Sequence, residues 1–77
     1  MALINNATTA WSDPVTLASD EIWQARAGAV FITTTVAPDG NDGIALSLRE
    51  GIRLPAGTQL RYRKEGPAEA LLVREAL

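Results

Sequence analysis

The stretch "LREGIRLPAGTQLRYRKEG", residues 48–66, decides how this chain folds. It holds five of the seven cations: Arg49, Arg53, Arg61, Arg63 and Lys64. It also alternates. Ile52 and Leu54 share one side of an extended chain and Arg53 takes the other; Leu60 and Tyr62 share one side and Gln59, Arg61 and Arg63 take the other. A period of two belongs to strands with one packed and one wet face. Between the two runs stands "LPAG", with Pro55 at the first turn position and Gly57 two later, which suits a tight turn. The stretch therefore predicts two antiparallel neighbours, strands 52–54 and 58–64. Arg53, Arg61 and Arg63 then form one outward cross-strand patch. Like charges directly opposite repel, so the patch calls for an acidic partner or a solvated rim, with Glu50, Glu65 and Glu69 partly neutralising it.

The pattern extends in both directions. "AVFITTTV" (29–36) puts Val30, Ile32, Thr34 and Val36 on one face and Phe31, Thr33 and Thr35 on the other. "GIALSL" (43–48) puts Ile44, Leu46 and Leu48 inward. Further strands are expected at about 14–17, 21–27 and 69–75, for seven short strands in all. The last is the one place where a helix competes, since Glu, Ala and Leu favour helix; Val73 and the preceding Gly66-Pro67 favour strand. Breakers recur at roughly ten-residue spacing, as in all-β folds. "PDGNDG" (38–43) reads as an exposed loop tip. The expectation is an all-β domain, a small antiparallel β-barrel or sandwich of jelly-roll-like topology over residues 11–77. Residues 1–10 lack alternation and read as an N-terminal arm, disordered or laid across a neighbour.

Seventy-seven residues allow one thin core. Chains of this size bury only about 60–65% of their unfolded surface. Disulfides are ruled out by the lack of cysteine, and a zinc site is disfavoured because histidine is absent too. Self-association is the remaining route to stability. Residues 1–47 carry one cation and five acids, net −4, while residues 48–77 carry six cations and four acids, net +2. That segregation suits contact between copies, and the overall charge of −2 argues against a general nucleic-acid binder. "MALINNATTAW" has neither the basic start nor the apolar run of a signal peptide, and no run approaches transmembrane length. A soluble protein made in the cytoplasm is expected.

No catalytic constellation emerges. Without His or Cys the common triads are unavailable, and the single Lys64 lies in a basic run. Asp39 and Asp42 flank Gly40-Asn41 but lack calcium-loop spacing and its distal Glu, so they read as a turn. An enzyme, a cofactor and a metal are not expected. Of the aromatic residues, Tyr62 should join the core with Leu60. Phe31, outward on a strand otherwise lined with threonine, is an interface candidate. Trp23 alternates with Ile22, so one of the two faces inward and the other faces solvent or an interface. The candidate interface or ligand patch is Arg53, Arg61, Arg63, Phe31 and Trp23.

"GIRLPAGTQLRY" resembles the second half of a cupin-type jelly roll. Cupins commonly place a metal-binding histidine three residues after the last glycine of that turn. This chain has Leu60 there, so the turn is similar and the metal chemistry is missing. More broadly, residues 14–66, with their D-E-I-W-Q, N-D-G-I, L-P-A-G and R-Y-R runs, are similar to the small β-rich head spike base and capsid-vertex decoration proteins of gene transfer agents and related tailed phages. The resemblance implies a virion protein on the outer surface of the head. It implies a pentameric homo-oligomer that contacts the major capsid protein and carries a spike fibre, with no nucleic-acid or membrane partner. The alternative is a small carbohydrate- or anion-binding β module using the Arg53/Arg61/Arg63 patch.

Overall fold

The computed structural model describes residues 1–77 and contains eight strands and no helix. They are β1 (Ala2–Ile4), β2 (Val15–Thr16), β3 (Glu21–Ala27), β4 (Val30–Thr33), β5 (Ile44–Leu46), β6 (Gly51–Leu54), β7 (Gln59–Lys64) and β8 (Leu71–Ala76). Two four-stranded antiparallel sheets form, in the orders β1-β8-β3-β6 and β2-β7-β4-β5. This is a double-sheet jelly roll, a β sandwich. Seven strands fall where alternation puts them, and the C-terminal segment is strand.

The first correction concerns the pairing around Pro55. β6 pairs with β3 in one sheet, and β7 pairs with β2 and β4 in the other. Strands 52–54 and 58–64 are therefore not neighbours. The turn chemistry itself is present: Thr58 N donates to Pro55 O, and Gly57 takes φ +86°, a position that suits glycine. What lies on either side is a corner. Residues 15–27 and 51–64 form one antiparallel ribbon, and its register is the same in both sheets, with Val15 opposite Leu60 and Glu21 opposite Leu54. Between these points Leu17 exchanges backbone bonds with Thr58 and Gly57, and Asp20 Oδ1 accepts from Ala56 N at 2.8 Å. The ribbon bends there and passes from one sheet to the other.

The second correction concerns residues 1–10. Ala2–Ile4 pair with Leu72–Arg74 as the edge strand β1. Ile4 and Ala7 pack against the core, Tyr62 Oη donates to Asn6 Oδ1, and Lys64 N donates to Thr8 O. The segment is laid across its own domain. Ile4 turned inward supplies the apolar contact that an arm without alternation did not advertise.

Between the sheets lie Leu17, Trp23, Ala25, Val30, Ile32, Leu46, Leu54, Leu60, Tyr62, Ala70 and Leu72. Trp23 is 0% exposed and its ring stands 6.0 Å from that of Tyr62. The place of Trp23 in the interface patch is thus corrected: β3 is an inner strand between β8 and β6, its inward face is covered, and Ile22 takes the exposed side. Inward orientation also fails at chain turns. β4 ends at Thr33, leaving Thr34 and Val36 outside, and Ile44 and Leu48 are largely exposed around the edge strand β5.

Candidate functional site

The outer face of the second sheet is built around Arg63. Alternation puts Phe31 on β4 and Arg63 on β7 outward, and the register sets them directly opposite. The Arg63 guanidinium carbon lies 4.4 Å from the Phe31 ring centroid and 5.1 Å from that of Trp11. Stacking of this kind covers both rings while leaving the guanidinium N–H groups in its plane free to donate. One of them, Nη2, donates to Gly40 O at 2.8 Å, and Trp11 Nε1 donates to Asp39 O at 2.8 Å. The loop between β4 and β5 is thereby pulled down onto the sheet. Its own tip is closed by Asn41 N donating to Asp39 Oδ1 and Asp39 N donating to Asp42 Oδ2. Arg63 Nε is buried with no partner in the chain.

The three arginines of the sequence patch are divided by this architecture. Arg61 and Arg63 are outward on β7, but Arg61 Nη1 donates to Ser12 O and Arg63 is held between two aromatic rings. Arg53 stands on the outer face of the other sheet and pairs with Asp20 at 3.3 Å. Phe31 is half-buried beneath Arg63. These residues do not form one cross-strand cationic surface.

A second polar group was not legible from spacing. Glu21, on the inward face of β3, is almost fully buried at the end of the sandwich. Both its oxygens take Arg74, from Nε and Nη2 at 2.9 Å each, and Oε1 also accepts from Trp23 Nε1 at 3.0 Å. Arg74 in turn lies 5.2 Å from the Trp23 ring. The Arg74 hydrogen bonds hold the Glu21 carboxyl below its ordinary pKa against the opposing effect of burial, and the same bonds raise Arg74. Asp20 is lowered too, first by the Ala56 N–H and then by Arg53. The only trace of the Glu21 group in the sequence is the i, i+2 spacing of Glu21 and Trp23, which puts both on one face of a strand.

No group of three or more carboxylates converges in a way that would hold a metal ion. A groove of about 390 Å³ lies between the edge strands β5 and β6, lined by Ile32, Ile44, Ile52 and Leu54 with Thr33–Thr35. Large apolar side chains are exposed at Leu3 on β1, Ile22 on β3, Val36, Ile44 on β5 and Leu48. No family model, curated protein or solved structure matches the chain.

Proposed function

We propose that this chain is a structural subunit of a virus-like particle: the homo-oligomeric base of a head spike, seated at capsid vertices and carrying a fibre, as in gene transfer agents and related tailed phages. The observation that carries the reading is the apolar surface left uncovered. Leu3, Ile22, Val36, Ile44 and Leu48 are exposed around a core of only eleven buried residues. A domain this small gains most from burying such surface against further copies. The strand order supports the reading, since double-sheet jelly rolls recur among viral capsid domains, although topology alone assigns no function. The capsid protein and the fibre as partners, the pentameric state and the position on the outer surface of the head rest on the resemblance of residues 14–66. The role requires no catalytic group and no cofactor. The alternative of a glycan- or anion-binding module relied on a single patch of Arg53, Arg61 and Arg63, which two separate sheets now divide.

Light scattering coupled to size exclusion tests the assembly. A discrete oligomer at micromolar concentration is expected, and a stable monomer there would sink the proposal. Mass spectrometry of purified particles from a producing strain tests the location: the chain should copurify in a fixed ratio to the capsid protein, and its absence overturns the particle assignment.

A further inference from the structure

The outer face of the first sheet carries a hollow of about 510 Å³ lined by Gln24 and Arg26 of β3 and by Leu48 and Arg49 of the turn between β5 and β6. Gln24 is its hub. The amide Nε2 donates to Arg49 O at 2.9 Å, and Oε1 accepts from Arg26 Nε at 2.6 Å. One side chain therefore fixes both the Arg26 guanidinium and the Arg49 backbone. Neither arginine has a carboxylate partner, because the two ion pairs of the chain are Arg53–Asp20 and Arg74–Glu21. Arg49 also has φ +70°, the only non-glycine residue in the left-handed region. A strained arginine at a turn that glycine would fill more easily directs attention to its side chain. Leu48 adds exposed apolar surface beside the two cations.

The opposite outer face carries two acids, Asp39 and Asp42. The 39–42 tip lies over the outer face of the second sheet, anchored through the backbone carbonyls of Asp39 and Gly40. Within the tip Asp39 Oδ1 and Asp42 Oδ2 take backbone donors, so Asp39 Oδ2 and Asp42 Oδ1 have none within the chain. We infer that the acidic 39–42 tip of one copy docks into the Arg26–Arg49–Leu48 hollow of a second copy. The charges are complementary: two aspartates with free carboxylate oxygens meet two arginines without a carboxylate partner. Since the two features lie on opposite faces of the sandwich, the contact joins unlike surfaces, and repetition closes a ring or extends a chain. This deepens the assembly reading above and rests on it.

Sedimentation velocity over a concentration series tests the contact with four variants beside the wild type. Arg26→Ser/Arg49→Asn removes the cations, with asparagine tolerant of the left-handed backbone. Asp39→Asn/Asp42→Asn removes the charges and keeps the acceptor oxygens that close the loop. The quadruple variant combines them, and Lys64→Gln is the control for loss of an unrelated cation. Each double variant should weaken association by at least about tenfold. The quadruple should be little weaker than either, because both doubles remove one interaction. The control should match wild type. An oligomer equally stable in both doubles overturns the contact and leaves the assembly reading intact; so does equal weakening by Lys64→Gln. A wild-type monomer overturns both. If the arginine double variant does not fold, Arg26→Gln and the aspartate double carry the same comparison.

Discussion

Glu21 shows how one residue can be half legible. Spacing puts it on the same face as Trp23, but the sequence leaves open which way that face turns and does not say that Arg74, some fifty positions later, comes to lie beside it. Glu21→Gln keeps an acceptor for Trp23 Nε1 and removes the charge partner of a mostly buried Arg74. A loss of about 2 kcal/mol is expected in urea melts at pH 7. Because the folded pKa of Glu21 is lowered, the stability it supplies is fully present above the ordinary value near 4.5 and is lost as pH falls through the folded value. The gap between wild type and variant should therefore close below about pH 4.5, and a gap constant down to pH 2.5 would falsify the charge-based account. Gly28 is the second residue-scale case. It turns the chain between β3 and β4 with φ +64°, and a Cβ there would meet Glu69 O at 2.7 Å. Gly28→Ala should cost about 2 kcal/mol in the same assay. A glycine between two apolar runs is readable as a break, while the approach of the Glu69 backbone follows only from the fold. Trp11 was harder still: its stacking with Arg63 depends on a loop whose path no spacing encodes.

At the scale of elements, strand positions were legible and strand partners were not. Alternation tells which side chains share a face, as for Leu60 and Tyr62 or Val30 and Ile32, and is silent on which strand lies alongside. Pro55 and Gly57 give the same turn whether the flanking strands fold back on each other or bend away into separate sheets. What decides is the other strand of the ribbon, because Asp20 and Leu17 hold the turn from residues nearly forty positions away. Asp20→Ala should speed hydrogen exchange at the Ala56 amide while leaving exchange in β8 unchanged. Asp20→Asn, which retains an acceptor, should keep that amide protected even though Arg53 loses its charged partner. Equal exchange in both variants would show that the carboxylate does not hold the corner. The edge strand β1 went unread for a related reason: three residues are too few to display a period.

For the whole molecule, the jelly-roll-like expectation held because several short strands with one wet face have few ways to enclose a core. The cationic patch drawn from the sequence does not survive folding. Arg53 is neutralised within the chain, Arg63 is occupied by two rings, and Arg26 and Arg49 are among the cations without a carboxylate partner. The continuous ribbon of residues 15–27 and 51–64 has a further consequence, for kinetics. Its strands are joined through the whole of β4 and β5, so the chain must close a long loop before the corner gains anything. With no helix to form early and every inner strand paired to a distant one, refolding should take milliseconds to seconds, on the order of other all-β sandwiches. Stopped-flow tryptophan fluorescence, read through buried Trp23, measures this directly, and refolding within microseconds would contradict it. A nascent chain would then have only the β4–β5 pairing available until residues 51–64 emerge, with β3 exposing its apolar face in the interval.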